Sequence, residues 1–566
     1  MDAEITPPAT TTTETGARIL VDTLRQQGVT QLFGYPGGTL LSLFDAMYDR
    51  EFNITLVRHE QGATHAAEGY AKATGKTSVV SVTSGPGASN AVTGIADAMM
   101  DSVPMVVFTG QVGRGVLGTE AFQELNTMDV TKPIVKANFQ IMDVNDLQTT
   151  ITDAFDLAQS GRKGPVVIDL PKDVLDETAE FRPAAKPQTT AQPRFDKTTL
   201  AAGMQALSNA KRPIAIVGAG TAASGGAEKF NEFIHNWQLP VVSTLLGLGT
   251  VADSAPLFLG MGGMHGTYAA NMALAETDFI VNVGSRFDDR LIPKPAGYAD
   301  DKTILHIDID TKELNKTFAT QFAIQADAKT ALTAMAASTA PKPDTTAWQK
   351  RTQEWATTHP NRAESAQQAP GFDPQAVIAA ARKATNGDAT VVTDVSQHQM
   401  WAAQAYPFTR TRQIITSGGL GTMGYGLPAA IGAKFGNPDK DVILFVGDGG
   451  FQMTSEELEV IANEDLNIKI FLLNNHALGM IRQWQDQFYG QHRYKSTFDH
   501  QPNFERLMAA YDLQYQKLSP DEDLDAQMTR IFANTHATLI EVTVPVDDQA
   551  YPMVAPGHTN DDMFGM

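Results

Sequence analysis

The sequence predicts an α/β protein of three domains, each a mainly parallel sheet flanked by helices. Short apolar, β-branched runs at 78–82 and 105–108 alternate with Ala-rich segments of helical period in the first third of the chain. The same rhythm returns in the last third, at 442–446 and 468–473. Two Pro/Ala/Thr/Lys-rich stretches, 178–197 and 338–371, interrupt it and read as linkers. At 566 residues the chain is also too long for one ordinary core.

Taken in order, residues 1–14 read as a flexible tail and 15–180 as the first domain. In that domain a short strand at 54–57 leads through Glu60 into a helix beginning near Gln61. The middle domain, 195–340, carries strands at 214–217, 279–283 and 304–307. Its stretch VGAGTAASGG (217–226) puts glycines after a strand, which permits close backbone approach to a phosphate-bearing ligand. It is not a full GxGxxG pattern and also suits a plain turn. The third domain spans 372–550, and 551–566 reads as a C-terminal tail. A faint internal echo links SVTSGPGASN (81–90) and LFVGDGGFQM (444–453), both running from a strand through a glycine turn.

The stretch GDGGFQMTSEELEVIANEDLNIKIFLLNN (447–475) carries the clearest chemistry. GDGG ends the strand at 442–446, Thr454 and Glu457 stand in capping-box spacing, and Leu458, Ile461 and Ala462 recur at helical intervals before the strand at 468–473. Two strands joined by a helical crossover are expected to be parallel, so both carboxyl ends lie on one edge of the sheet. Asp448 and Asn475 then converge. A carboxylate, an amide oxygen and open backbone carbonyls form an all-oxygen set for a hard cation such as Mg2+, with a diphosphate as the expected further ligand.

Composition narrows the partners. A formal charge of −21 with no offsetting basic tract argues against nucleic acid or an anionic membrane. The absence of cysteine excludes disulfides, thiolate metal sites and a cysteine nucleophile, and fits a cytoplasmic protein. No apolar run approaches membrane-spanning length, and the first residues lack the basic and apolar regions of a signal peptide.

The 24 residues between GDG and NN, with strands on either side, resemble the signature of thiamine diphosphate (ThDP) enzymes. YPGG (35–38), RHEQGA (58–63), SGPG (84–87), AFQE (121–124), GPVVIDLPKD (164–173), GMHGT (263–267), RFDDR (286–290), HIDID (306–310), QHQMWAAQ (397–404) and GMIRQWQ (479–485) extend the likeness over nearly the whole chain. Together they resemble the catalytic subunits of the acetohydroxyacid synthase (acetolactate synthase) family. RFDDR and GMIRQWQ are the most restricted of these strings, and they argue against two relatives, flavin-reducing pyruvate oxidase and flavin-free catabolic acetolactate synthase. Retention of Glu60, Asp448 and Asn475 together disfavours a non-catalytic FAD-binding scaffold.

The resemblance implies a pyrimidine-binding first domain, an FAD-binding middle domain and a diphosphate-binding third domain. Glu60 would hydrogen-bond N1′ of the cofactor's aminopyrimidine, favouring the tautomer that removes the thiazolium C2 proton. Gln123 and Lys172 would lie near substrate. Gly38, Phe122, Arg290, Met480 and Trp484 would surround it, with Arg290 gripping a 2-keto acid carboxylate. ThDP would be held by Gln397, His398, Gly421, Met423, Asp448, Gly449, Gly450 and Asn475, and Mg2+ by Asp448, Asn475 and the backbone carbonyl of Ala477. FAD would meet Gly218, Gly220, Thr244, Leu245, Leu246, Met264, His265, Gly284, Arg286, Asp288, Asp308, Ile309 and Asp327. Glu60 and Asp448 would come from different subunits, so a homodimer or dimer of dimers is expected, with pyruvate and 2-oxobutyrate as substrates and a separate regulatory small subunit as a further partner. Thr39 and Thr422 depart from the family pattern, which commonly has Ala after YPGG and a smaller residue before the methionine.

Overall fold

The structure, a computed structural model, describes residues 11–182, 195–359 and 371–565. In chain order its strands are β1 (Thr12–Thr15), β2 (Leu32–Gly34), β3 (Ile54–Leu56), β4 (Ser78–Val82), β5 (Met105–Gln111), β6 (Ala137–Gln140), β7 (Pro165–Pro171) and β8 (Thr178–Phe181). The middle of the chain adds β9 (Pro213–Val217), β10 (Val241–Ser243), β11 (Phe258–Met261), β12 (Phe279–Val283), β13 (Thr303–Asp308) and β14 (Phe322–Gln325). There follow β15 (Thr390–Thr393), β16 (Ile414–Ile415), β17 (Val442–Gly447), β18 (Ile468–Asn474), β19 (Gln514–Lys517), β20 (Thr538–Thr543), β21 (Met553–Val554) and β22 (Met563–Phe564).

Three six-stranded parallel sheets result. The first runs β3-β2-β4-β5-β7-β6 and the third β16-β15-β17-β18-β20-β19. Both orders read 2-1-3-4-6-5 when strands are counted within each sheet, so the echo between SGPG and GDGG joins equivalent third strands, β4 and β17. The middle sheet runs β11-β10-β9-β12-β13-β14, the 3-2-1-4-5-6 order of a doubly wound fold. Helices cover both faces of each sheet. In β5, Val106 and Phe108 face one buried cluster while Met105 and Val107 face another, which is why these strands read as unbroken apolar runs.

The first and third sheets are joined by two helices, Glu60–Thr74 and Gly426–Gly436, that pack with their backbones almost touching. A Cβ on Gly69 would sit 2.0 Å from the carbonyl oxygen of Ala429, and one on Gly432 only 1.7 Å from that of Ala66. Glycine is therefore required on both sides of this contact.

Several expectations are corrected. Residues 178–181 are strand β8, paired antiparallel with β1, so neither 178–181 of the supposed linker nor 12–14 of the supposed tail is irregular. Residues 1–10 and 183–194 lie outside the described residues. Within the second supposed linker, Thr346–Thr358 is a helix whose Trp348 is buried against the middle domain and donates to Pro213 O, while 360–370 lie outside the described residues. The C-terminal stretch is packed rather than trailing: β21 pairs with β22, Val554 N–H donates to Met264 O at 2.8 Å, and Asn560 Nδ2 donates to Leu291 O.

The helix expected from near Thr454 is broken into a 3-10 turn Ser455–Glu457 and a helix Leu458–Asn463, and a further short helix, Asp448–Gln452, precedes it. Thr454 caps nothing; its hydroxyl donates to Gly424 O. Glu457 turns away to accept N–H groups of Arg58 and His59, serving the start of the Glu60 helix in another domain. That helix itself begins at Glu60, with His59 as its cap. Local spacing cannot reveal that a capping acid has been taken by the approach to a distant helix.

Candidate functional site

Every anticipated site residue outside the middle domain lies at the carboxyl ends of strands, where parallel sheets place their loops. On the first sheet Gly38 follows β2, Glu60 follows β3, Phe122 and Gln123 follow β5, and Lys172 follows β7. Asn90 Nδ2 donates to Glu60 Oε2 at 2.9 Å. Gln123 adopts φ 62 and packs against Gly85 of SGPG, whose added Cβ would meet Gln123 Cα at 3.1 Å. A Cβ on Gly38 would meet nothing within 4 Å, and Phe122 is 88% exposed, so both border open space.

On the third sheet Gln397 and His398 follow β15, Gly421 and Met423 follow β16, Asp448–Gly450 follow β17, and Asn475 and Ala477 follow β18. The register Gly447↔Leu473 puts the Asp448 turn beside the Asn474–Asn475 end. Gln501, which the sequence did not mark, spans them: its amide donates to Asp448 Oδ2 and its carbonyl accepts from Asn474 Nδ2. Asn475 Nδ2 donates to Gln397 Oε1, and Asn475 Oδ1 accepts the Ala477 N–H. Burial raises the Asp448 carboxyl to about 7, with no cationic side chain among the causes of its shift. Met423 lies across Gly449, where an added Cβ would come within 2.9 Å of the methionine methyl. His398 is buried with Nε2 unpartnered, and burial lowers it to about 3, so it stays neutral. An uncompensated buried acid, acceptor oxygens from the next strand and a glycine floor fit a divalent cation with a diphosphate.

The middle domain contributes a cavity of about 1210 Å³. Glycines flank it at the sheet's switch point: Gly218 and Gly220 follow β9, Gly284 follows β12, and a Cβ on Gly218 would lie 2.2 Å from Gly284 O. Gly220, Thr244, Leu245, Leu246, Met264, His265, Gly284, Arg286, Asp288, Asp308, Ile309 and Asp327 all line the cavity, whereas Gly218 only shapes its floor. His265 Nδ1 is buried without a partner, and burial raises Asp308 to about 6. These features fit a large dinucleotide. Arg290, Met480, Trp484 and Gly421 line the same cavity, so the flavin candidates and part of the substrate set share one space. The Arg290 guanidinium touches Met264 Sδ at 3.1 Å, and among the described residues no carboxylate is closer to it than Asp289 at 4.0 Å. Trp484 stacks edge-on with Phe488, and its indole N–H has no partner.

Glu60, Gln123, Lys172, Gly38 and Phe122 do not line this cavity. Among the described residues no hydrogen bond joins Glu60, Gln123 or Lys172 to a site residue of the third domain. One chain therefore presents two separate clusters: a sheet edge with Glu60, and a second edge with Asp448 and Met423 beside the large cavity.

Comparison with known proteins supplies the frame. Residues 14–130 match the thiamine pyrophosphate enzyme N-terminal TPP binding domain, 200–335 its central domain and 394–542 its C-terminal TPP binding domain. Fold and sequence thus define a thiamine pyrophosphate enzyme. Over 560 residues the chain is 48% identical to the acetolactate synthase large subunit of Lactococcus lactis, covering 97% of this chain and 96% of that protein. Over 572 residues it is 40% identical to the isozyme 3 large subunit of Escherichia coli, covering 97% and 98%. The chain belongs to the acetolactate synthase large-subunit family.

Proposed function

We propose that the protein is a ThDP-, Mg2+- and FAD-dependent acetolactate synthase. It decarboxylates pyruvate and joins the remaining two-carbon unit to a second 2-keto acid, giving 2-acetolactate from pyruvate or 2-aceto-2-hydroxybutyrate from 2-oxobutyrate, in valine and isoleucine biosynthesis. The observation that carries this reading is the single cavity in which Arg290, Met480 and Trp484 stand with the flavin candidates beside Gly421. ThDP, when bound, supplies the electron sink for decarboxylation and carbon–carbon bond formation.

Glu60 would hold a proton for the cofactor's aminopyrimidine. Asp448, Asn475 and the Ala477 carbonyl would hold Mg2+, and Met423, which lies against Gly449, would brace the cofactor. Arg290 offers its planar fork to the acceptor's carboxylate. Phe122, Met480 and Trp484 wall the reacting centre and exclude water, while Gly38, Gln123 and Lys172 shape and orient the donor side. The two clusters complete each other when Glu60 comes from a second copy, so the active unit is a homodimer or a dimer of dimers. The relatives' designation as large subunits supports a separate smaller, regulatory subunit. The flavin has no net redox role.

The test is the purified chain with pyruvate, ThDP and Mg2+, with and without FAD. The expected result is one acetolactate and one CO2 per two pyruvates, no lasting loss of flavin absorbance, and activity that needs FAD. Peroxide formation with flavin turnover, or CO2 without acetolactate, would overturn the reading.

A further inference from the structure

The loop SGGLGTMGYG (417–426), which carries Met423, buries Tyr425 in the third domain's core, while polar side chains hold the rest of its backbone. The Ser417 hydroxyl oxygen accepts the N–H groups of Gly421 and Thr422, each at 3.0 Å. Asp101 accepts those of Gly418 and Gly419 at 3.0 and 2.7 Å. Asp394 accepts those of Gly424 and Gly426 at 3.1 and 2.8 Å. Six N–H groups are thus fixed by three side chains, and Met423 stands between the pair held by Ser417 and the pair held by Asp394. Gly421 and Gly424, at φ 73 and 93, make the turns on either side of it.

Two of the anchors lead outside the third domain. Ser417 donates its own proton to Asp97 Oδ1 at 3.0 Å, and Asp97 and Asp101 lie in and just after the Val92–Met100 helix of the first domain. Both acids are buried. Lys72, from the Glu60 helix, donates to Asp101 Oδ2 and to Thr416 O, each at 2.7 Å, and lies 3.8 Å from Glu68. Its ammonium already supplies the cation among the close-set His65, Glu68 and Asp97, so this cluster acts as a structural lock and needs no metal.

We propose that Asp97 and Asp101 are positioning residues. Asp97 acts through Ser417, and Asp101 acts directly on the glycine backbone, so that the first domain of each chain fixes the loop that presents Met423 to ThDP in the third domain of the same chain. The inference rests on the ThDP reading above. Each first domain then serves cofactor binding twice over: through Glu60 for one site, and through these acids for the loop of its own chain.

The decisive variant is Ser417→Ala, which removes one oxygen and releases two N–H groups. In the full-length protein, calorimetric titration with ThDP at saturating Mg2+ is expected to show affinity reduced about ten-fold. FAD affinity, read by flavin fluorescence, should fall several-fold less than ThDP affinity, although Ser417 and Gly418–Gly421 also line the cavity proposed for FAD. The apparent KM for ThDP should rise more than kcat falls at saturating ThDP. Asp97→Asn keeps an acceptor oxygen for Ser417 and should bind ThDP within about two-fold of the parent, whereas Asp97→Ala should match Ser417→Ala. Ser417→Ala binding ThDP like the parent, or losing ThDP and FAD affinity equally, would overturn the proposal. A parent protein that fails to bind ThDP in the same titration would instead remove the functional reading and this inference with it.

Discussion

At the scale of single residues, Glu60, Asp448 and the Arg290–Trp484 wall each have a distinct expected failure. Glu60→Gln is expected to retain ThDP binding while losing most turnover, because an amide touches N1′ without sustaining the required tautomer; single-turnover and steady-state rates at saturating ThDP check this. Asp448→Ala removes the buried acid beside Asn474 and Asn475 and should abolish ThDP binding at ordinary Mg2+ concentrations, as read by calorimetry. Arg290→Lys keeps the charge but loses the two-pronged donor. It should raise the KM for 2-keto acid and leave ThDP affinity nearly intact. Trp484→Leu reshapes the wall beside Phe488 and should lower the preference for 2-oxobutyrate over pyruvate. One methylene is worth about 1–3 kcal/mol in such a pocket, so the product ratio in competition should shift tens-fold at most. These roles could be named from the sequence because RHEQGA, GDGG…NN and RFDDR are local strings. Gln501, Asp394, Asp97 and Ser417 could not: each acts on groups far away in the chain, and an isolated Asp, Ser or Gln carries no mark of its partner.

At the scale of elements, the contact between the Glu60–Thr74 and Gly426–Gly436 helices sets the spacing of the two thiamine-type sheets. Gly432→Val would drive a side chain into the Ala66 carbonyl, 1.7 Å from where its Cβ would sit, and push the helices apart. The expected outcome is loss of at least roughly 3 kcal/mol of stability together with ThDP binding, checked by chemical denaturation and titration. Glu457 offers a pH test of the same junction. Burial raises its carboxyl from 4.5 to about 7, so the folded state holds this proton more tightly than the unfolded chain. The stability this gives is fully present below about pH 4.5 and is lost as pH rises through about 7, on the order of 3 kcal/mol in all. Glu457→Gln should therefore flatten the fall of the thermal midpoint between pH 5 and pH 8.

At the scale of the whole molecule, the large cavity takes walls from all three domains, including Arg162 from the first, Gly220 from the second and Trp484 from the third. A flavin bound there would tie the domains together. FAD at a hundred times its dissociation constant is expected to stabilise the chain by about 2.7 kcal/mol, visible as a rise in thermal midpoint that scales with FAD concentration. A midpoint indifferent to FAD would show that the folded chain does not bind the flavin. The formal charge of −21 leaves no general basic field, so an anionic cofactor would be met locally, in the large cavity by Arg162, Lys163, Arg286 and Lys316.

The sequence by itself determined the α/β class, the strand cores and the residues at their carboxyl ends, because hydrophobic period and glycine turns are properties of contiguous residues. It also carried the family, through motifs whose spacing reflects one strand–helix–strand unit at a time. Only the tertiary structure decided that Glu457 braces the approach to a helix in another domain and that the supposed C-terminal tail packs on the middle domain. It alone placed the Met423 loop in the grip of Asp97 and Asp101. Those outcomes depend on which distant backbone donor lies nearest a buried acid or open face, and that is fixed when the sheets close upon one another.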